Sequence, residues 1–244
     1  MKKTLATNGE AIYSLGPAFR AGEQGSKHRS EFLMLEWYRP GFSLLQLERE
    51  ITDLVKYLAE GFDTEFQTPK RYSYAELFDA RFGCNPHGCS DADLKQLSEQ
   101  NFPELSTHLN SSVSKRNDYL DALFSLGVEP ELIEPTYVTE FPASQASLAN
   151  VSSDEMPVAL RTELYWQGVE LANGYDELRN GAELRKRIDN DNALRREYGY
   201  PEIQPDEELL AVLSDMPESA GVALGVDRLL MLLLGENSLD SVLV

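Results

Sequence analysis

The sequence predicts a single domain of the α/β or α+β class. Its 244 residues, 42% of them hydrophobic and 9% aromatic, are enough to bury one sizeable core. Short apolar segments typical of strands lie near the start and in the second half of the chain, with helical segments between them. Because no repeat, low-complexity run or linker divides the sequence, we expect one domain over residues 1–244.

The first predicted unit is a β-hairpin. An apolar strand at residues 11–19 leads to Arg20 and a polar loop, and a second strand covers residues 31–39. Gly22 and Gly25 supply the backbone freedom that the tip of such a loop needs.

Side chains alternate between the two faces of the returning strand. One face carries Phe32, Met34, Glu36 and Tyr38, and the other carries Leu33, Leu35 and Trp37. A wholly apolar face opposite a face with a glutamate and a tyrosine predicts a core behind the strand and a pocket in front of it.

Residues from about 43 to 130 are predicted to form a helical insertion. Capping boxes pair Ser43 with Gln46 and Ser73 with Glu76, and Ser90 caps a third helix. The predicted helices cover residues 43–61, 73–82, 90–97 and 115–126.

Strands and then helices are predicted for the rest of the chain. The expected strands cover residues 136–141, 163–170 and 221–225, and residues 171–176 are expected to form a loop. The expected helices cover residues 182–198, 207–213 and 226–234.

Composition narrows the class of function. The net charge of -19 repels a phosphate backbone and weighs against strong nucleic-acid binding. The chain has no 18-residue apolar run, no signal-peptide pattern at its start and only two cysteines, so a soluble cytoplasmic protein is expected.

The spacing of Cys84, His87 and Cys89 raises the question of a zinc site. Structural zinc takes four ligands, and the only further histidine nearby is His108. Because this ligand set is incomplete, a loop that precedes a helix is the favoured interpretation.

Two arginines suggest a polyphosphate site. Arg20 alone is more typical of a surface or ion-paired residue, but Arg228 stands in the first turn of an apolar helix, three residues after Gly225. Together they can clamp the α- and γ-phosphates of ATP as pyrophosphate departs. An ion-paired cap between Asp227 and Arg228 is the alternative.

The segment at residues 168–178 concentrates polar side chains at Glu170, Asn173, Asp176 and Glu177. Such a cluster is often a solvated loop, although Glu170 follows an apolar strand. Oxygen ligands such as those of Glu170 and Asn173 suit Mg²⁺ that bridges ATP phosphates.

Four segments resemble the class II aminoacyl-tRNA synthetases. Arg20 followed by a loop and EFLMLEWY is similar to motif 2, and GVALGVDRLLML at residues 221–232 is similar to motif 3. FPASQASLA at residues 141–149 and GVELANGYDEL at residues 168–178 lie between them. The resemblance covers essentially the whole chain and is strongest to the lysyl branch, in particular to its short paralogues that ligate (R)-β-lysine to elongation factor P.

The resemblance implies an α+β class II synthetase-like catalytic domain with a mostly antiparallel sheet flanked by helices. It implies that lysine or (R)-β-lysine is activated by ATP, with Mg²⁺, as an acyl-adenylate and passed to a lysine side chain of elongation factor P. It also implies a homodimer in the full-length form, with tRNA not expected as a partner. A lysyl-tRNA synthetase-like tRNA ligase and a non-catalytic nucleotide-binding fragment are the alternatives.

The resemblance also implies roles for individual residues. Arg20 and Arg228 are expected to be catalytic. The expected ATP-binding residues are Arg20, Gly22, Glu23, His28, Phe32, Glu170, Leu171, Gly225 and Arg228. The expected substrate-binding residues are Glu36, Tyr38, Asn173 and Glu177, and the expected metal ligands are Glu170 and Asn173.

This sequence departs from the family pattern in the motif 2 loop. The family often has a glutamate two residues after the motif 2 arginine, where this chain has Gly22 and places a carboxylate at Glu23. Arg29 and Ser30 replace a usual Asn-Pro.

Residues 2–6 are expected to end a helix that begins further upstream. Family members carry a preceding region with motif 1 and a Ser-x-Glu segment, so the sequence is expected to be truncated or to start internally. As written, the chain is therefore expected to be poorly active and prone to associate.

Overall fold

A mostly antiparallel sheet is the centre of the fold. The computed structural model describes residues 1–22, 24–105 and 115–242. In these ranges seven strands form one sheet: β1 (Ile12–Phe19), β2 (Glu31–Pro40), β3 (Lys70–Ser73), β4 (Thr136–Pro142), β5 (Val158–Trp166), β6 (Val169–Asp176) and β7 (Ser219–Gly225). Their order across the sheet is β1-β2-β7-β6-β5-β4-β3, and β3 with β4 is the one parallel pair among them. The expected α+β fold is confirmed.

The α-helices of the described residues flank this sheet. They are α1 (Lys2–Asn8), α2 (Leu44–Gly61), α3 (Tyr74–Phe82), α4 (Asp91–Asn101), α5 (Arg116–Gly127), α6 (Gly181–Glu197), α7 (Glu207–Val212) and α8 (Val226–Leu233). None of them combines the length and the apolar character needed to cross a membrane.

The helix starts agree with the capping signals. At α2 and α3, the Ser43 and Ser73 side chains each accept a bond from the N3 backbone, and the N3 side chain bonds back to the cap. Ser90 makes the same reciprocal arrangement with Asp93 at the start of α4. Short polar side chains at these positions satisfy backbone N–H groups that the helix itself leaves unpaired.

One prediction in the second half of the chain was wrong. Residues 163–170 do not form one strand followed by a loop, because a two-residue turn at Gln167 and Gly168 divides β5 from β6. Both turn residues have positive φ, 51° and 66°, as a tight hairpin turn with the right-handed twist of its strands requires. The expected loop at residues 171–176 is therefore part of β6, near the middle of the sheet.

The segment predicted as a helical insertion also contributes a strand. β3 pairs with β4 in register Lys70 to Thr136 through Ser73 to Thr139 and forms one edge of the sheet. Its four residues are too few for a recognisable alternation of apolar and polar side chains.

The main core lies on one face of the sheet, under α2 and α8. Leu35 and Trp37 of β2 belong to it, together with Val222 and Leu224 of β7. A second core joins α3, α4 and α5 to the β4 end of the sheet. The alternation predicted for β2 is confirmed for Leu35 and Trp37, which face this core, but not for Leu33, which lies outside it beside Phe32 and Met34. Tyr38, on the opposite face, is buried against Leu5 and Met216.

Candidate active site

The site face of the sheet is organised in rows that cross four strands. One row contains Tyr38 of β2, Gly221 of β7, Tyr175 of β6 and Arg161 of β5. The next row contains Glu36, Ala223, Asn173 and Glu163. Since β7 contributes only glycine and alanine here, it forms a low floor between larger side chains on β2 and β6.

A cleft with about 740 Å³ of open space lies at the start of α8. Its lining includes four basic side chains and a histidine: Arg20, Lys27, Arg29, Arg228 and His28. Glu170, Leu171, Phe32 and Gly225 also line it. In a chain with a net charge of -19, this local concentration of positive charge suits a polyphosphate.

Arg228 connects the hairpin loop to β6. Its Nε donates to the Lys27 carbonyl at 3.1 Å, and its Nη1 donates to the Glu170 carbonyl at 2.9 Å. Nη2 lies 2.7 Å from His28 Nε2, and the Glu170 carboxylate is 3.6 Å from the guanidinium. Asp227 instead accepts from the Leu33 backbone N–H at 2.8 Å. Asp227 and Arg228 therefore bond to different partners. Asp227 joins α8 to the hairpin, and Arg228 joins α8 to both the hairpin loop and β6.

Arg20 follows the end of β1 and faces Phe32 on β2. Its guanidinium carbon lies 5.4 Å from the centre of the Phe32 ring, within cation–π range. Its backbone N–H donates to the Ser30 carbonyl at 2.9 Å, which closes the loop. The two side chains form one wall of the cleft.

Two expected ATP-binding residues of the hairpin loop, Gly22 and Glu23, are not among the residues that the structure places at the cleft. Gly22 has φ +82°, a region that favours glycine, and among the described residues it does not line the cleft. Glu23 lies outside the described residues.

Gly225 lies at the floor of the cleft. A Cβ there would come no closer than 3.7 Å to another residue, so the protein alone does not require glycine at this position.

The expected magnesium ligands lie side by side, with the amide of Asn173 turned away from a metal. Asn173 Nδ2 faces Glu170 Oε1 at 3.5 Å, while its Oδ1 accepts from Arg161 Nε at 3.2 Å. An ion shared by both residues requires this amide to turn over. Of the two residues, Glu170 is the one whose carboxylate would hold a Mg²⁺ without a change of side-chain orientation, and the ion would supply positive charge beside the phosphates.

A buried polar network lies beneath Asn173, and the sequence analysis missed it. Glu163 accepts from Asn173 Nδ2 at 2.6 Å, from the Tyr165 hydroxyl at 2.5 Å and from Arg161. Burial raises the pKa of the Glu163 carboxyl, and the Arg161 guanidinium opposes that shift. Arg161 stacks on Phe141, 4.5 Å from the ring centre. The sequence signal for this network was the alternation of Arg161, Glu163 and Tyr165 along one strand. The predicted strand began at residue 163 and therefore left Arg161 out.

The loop after β4, at residues 143–150, is held at the edge of the site by two arginines. Arg161 donates to the Gln145 carbonyl at 3.0 Å, and Arg187 of α6 donates to the Ser147 and Ala149 carbonyls at 2.8 Å each. A second, wider cleft lies along this loop and α6. It shares Arg20, Asn173 and Tyr175 with the first cleft, so the two meet beside Arg20.

Three expected substrate-binding residues lie further along the same sheet face. Among the described residues, Glu36, Tyr38 and Glu177 do not line the basic cleft, whereas Asn173 does. Glu177 and Tyr38 are only 2% and 8% exposed. Burial and the charges of Glu177 and Glu36 raise the pKa of the Tyr38 hydroxyl, which therefore stays protonated.

A lysine that the sequence analysis did not consider contacts this group. Lys2 Nζ of α1 lies 2.5 Å from Glu177 Oε2. Burial raises the pKa of the Glu177 carboxyl, and Lys2 opposes that shift. A Cβ at Gly221 would lie 2.3 Å from Glu177 Oε1 and 2.6 Å from the Tyr38 ring, so both side chains approach the sheet here only because position 221 is glycine.

The residues considered for zinc do not form a metal site in the described ranges. No group of three or more His, Cys, Asp or Glu side chains there is arranged to hold a metal, and His108 lies outside these ranges. Burial and neighbouring Cys89 raise the pKa of the Cys84 thiol to about 12.

Comparisons with known proteins show the family of this chain. The family described as tRNA synthetases class II (D, K and N) matches residues 1–244. A protein of Proteus mirabilis (strain HI4320) named Elongation factor P--(R)-beta-lysine ligase is 43% identical over 246 residues, and one of the same name from Edwardsiella ictaluri (strain 93-146) is 41% identical. A third, from Yersinia enterocolitica, is 39% identical. Each alignment covers all of this chain and 73% of the relative.

Proposed function

The chain belongs to the class II tRNA synthetases of the D, K and N group, and from that membership we propose that it is an ATP-dependent ligase that forms an aminoacyl-adenylate. One observation carries the proposal. The basic cleft of Arg20 and Arg228 shares a floor of small β7 residues with the buried carboxylate of Glu177. A polyphosphate and a cationic amino acid bound at these two places would meet on the same face of the sheet.

The proposed amino acid is lysine or (R)-β-lysine. Glu36 and Glu177 supply negative charge for an amino group, and the protonated Tyr38 hydroxyl supplies a donor. The named relatives are ligases of (R)-β-lysine, which supports a lysine-type substrate here. The two isomers differ by the shift of one amino group by one carbon, so both belong in the test.

The proposed first step is an in-line displacement at the α-phosphate of ATP. The substrate carboxylate attacks, the bond to the β-phosphate oxygen breaks, and pyrophosphate leaves with the electron pair. Arg20 and Arg228 neutralise the charge that develops on the phosphates. Mg²⁺ held by Glu170 would neutralise part of the same charge. The reaction requires no covalent enzyme nucleophile.

The proposed second step transfers the acyl group to a lysine side chain of elongation factor P. The neutral acceptor amine attacks the acyl carbon, and the bond from that carbon to the phosphate oxygen breaks. AMP leaves with the electron pair, and the amine nitrogen releases a proton to water. We expect the acceptor to approach along the second cleft, because it joins the first beside Arg20. The net charge of -19 favours a lysine-bearing acceptor over tRNA.

ATP–pyrophosphate exchange tests the first step. We expect exchange that depends on lysine or (R)-β-lysine and is absent without an amino acid. Nucleotide binding without exchange would identify a non-catalytic nucleotide-binding protein instead.

Mass spectrometry of the acceptor tests the second step. We expect elongation factor P to gain one lysyl group on a single lysine, and no gain when that lysine is replaced by arginine. Aminoacylation of tRNA in the same reaction, with elongation factor P unmodified, would identify a tRNA ligase.

A further inference from the structure

We propose that Lys2 is a positioning residue for the amino acid. Its ammonium neutralises one oxygen of Glu177 and orients the carboxylate, so that the other oxygen is left for an amino group of the substrate. The inference rests on the proposed function, which assigns Glu177 to the amine of a lysine-type substrate.

Helix α1 holds Lys2 in place. Leu5 of this helix is fully buried against Tyr38 and Met216. Lys3 on the same helix pairs with Asp206 at 2.8 Å and with Glu208 at 2.9 Å, at the start of α7. The buried Leu5 side chain is what docks α1, since the Lys3 pairs are exposed and contribute little. The Lys2 side chain, 11% exposed, therefore reaches Glu177 from a docked helix.

The two oxygens of Glu177 have different surroundings. Oε2 contacts Lys2 Nζ at 2.5 Å, and Oε1 lies above Gly221 beside the Tyr38 ring. The backbone on either side is held as well, since the Glu177 N–H donates to the Ser219 carbonyl at 3.0 Å and Asn150 donates to the Glu177 carbonyl at 3.1 Å. Glu177 is therefore held through its backbone and through Oε2, and Oε1 is the carboxylate oxygen that Lys2 does not occupy.

The charges around Glu177 explain why a resident cation is needed. Glu36, Tyr38 and Asp176 surround it from β2 and β6, and Lys2 is the cation that faces it from α1. Removing one partner of a buried ion pair leaves an uncompensated charge. Without Lys2, Glu177 is expected to take up a proton, and a neutral carboxyl binds an ammonium poorly.

The test uses Lys2→Met, Lys2→Arg and, as a control on the same helix, Lys3→Met. The Michaelis constants for lysine and for ATP are measured by pyrophosphate exchange between pH 6 and 8.5. Lys2→Met is expected to raise the Michaelis constant for lysine about tenfold or more, because a charge-assisted contact to the substrate is weakened. The Michaelis constant for ATP is expected to be nearly unchanged. Lys2→Arg and Lys3→Met are expected to stay close to the unmodified chain.

The pH profile separates this role from a merely structural one. In Lys2→Met the constant for lysine is expected to fall as pH rises and Glu177 regains its charge, whereas the unmodified chain shows a flatter profile. Equal loss for lysine and ATP, or a flat profile in Lys2→Met, would overturn the proposal. Tighter lysine binding in Lys2→Met would overturn it too and would make Lys2 a competitor of the substrate.

Glu177→Gln distinguishes failure of the inference from failure of the proposed function. If Glu177→Gln leaves the Michaelis constant for lysine unchanged, Glu177 does not bind the substrate. The proposed role of Glu177 and the inference about Lys2 are then both overturned. If Glu177→Gln weakens lysine binding and Lys2→Met does not, only the role of Lys2 is overturned. Thermal unfolding of each variant and the less bulky change Lys2→Gln identify any loss caused by misfolding of α1.

Discussion

Arg228 illustrates how one side chain joins the elements that surround the basic cleft. Its guanidinium bonds to the carbonyls of Lys27 and Glu170, which belong to the hairpin loop and to β6. Because these contacts use Nε and Nη1, the group is held with a fixed orientation at the start of α8. A fixed cation near developing charge stabilises a transition state more than a mobile one does.

We expect Arg228→Ala to abolish most adenylate formation. Loss of one such electrostatic contact costs about 2.7–4 kcal/mol of transition-state stabilisation, or about 10²–10³ in rate. The measurement is lysine-dependent ATP–pyrophosphate exchange. The control is Arg185→Ala, which removes a surface ion pair between Arg185 of α6 and Glu207 of α7. This variant is expected to keep normal exchange.

An unchanged exchange rate in Arg228→Ala would remove this residue from the proposed clamp. Thermal unfolding of the same variant separates loss of catalysis from loss of the hairpin loop contacts.

Glu129 is a half-buried carboxyl close enough to Glu170, Arg228 and Lys27 of the cleft for their charges to act on it. Burial, and then the charge of Glu170, raise its pKa from 4.5 to about 7, while Arg228 and Lys27 oppose the shift. In the folded chain it therefore binds a proton more tightly than in the unfolded chain. This contribution to stability is present below pH 4.5 and is lost as pH rises through about 7.

Between pH 5 and 8, we expect ionisation of Glu129 to lower the free energy of unfolding by about 1–3 kcal/mol. Glu129→Gln removes the titration, so its urea denaturation is expected to depend less on pH over that window. Glu155→Gln, at an exposed position, is the matched control and should retain the dependence of the unmodified chain. A Glu129→Gln profile that parallels the control would contradict the assignment.

At the scale of elements, a short 3₁₀ turn at Leu239–Ser241 fastens the hairpin loop. The Leu239 N–H donates to the Ser26 carbonyl at 2.7 Å, and its buried side chain lines the cleft. Asp240 pairs with Arg29, which with Ser30 replaces the usual Asn-Pro of the family. The turn therefore takes part in setting the pose of the loop.

We expect Arg29→Ala and Asp240→Ala each to raise the Michaelis constant for ATP. The pair is exposed, so its coupling is expected to be about 0.2–1 kcal/mol, and the double variant should lose less than the sum of the two. Pyrophosphate exchange across the four proteins measures the coupling. A parallel cycle on Arg196 and Glu202, a surface pair at the end of α6, is expected to leave the constant for ATP unchanged. Additive losses at Arg29 and Asp240 would show that the pair does not position the loop.

At the scale of the molecule, β1 is an edge strand with an apolar outer row. Tyr13, Leu15 and Phe19 are 78%, 57% and 70% exposed and share one face of that edge. An uncovered edge with an apolar face favours association with another chain.

We expect the chain to self-associate through β1 and Leu15→Lys to reduce this. A charge on the edge strand opposes pairing and desolvation. Light scattering and sedimentation at several concentrations give the measurement. Tyr57→Lys, at an isolated exposed aromatic on α2, is the control and should leave the association unchanged. Association that is equal in both variants would place the contact elsewhere.

Local features of the sequence were sufficient for much of the fold. The hairpin, the core-facing Leu35 and Trp37 of β2 and the capping boxes at Ser43 and Ser73 depend on residues a few positions apart, and these agree with the structure. Motif spacing was also sufficient to nominate Arg20 and Arg228, which line one cleft.

Other features depended on contacts between distant parts of the chain. The polar segment at residues 171–176 is a strand because β5 and β7 pair with it on both sides, which its own composition does not indicate. Arg161 and Glu163 form a buried network only because Asn173 and Phe141 come from other strands. Lys2 reaches Glu177 across 175 positions. Periodicity and caps report on neighbours along the chain, whereas the partners that make a buried charge tolerable are decided by the tertiary fold.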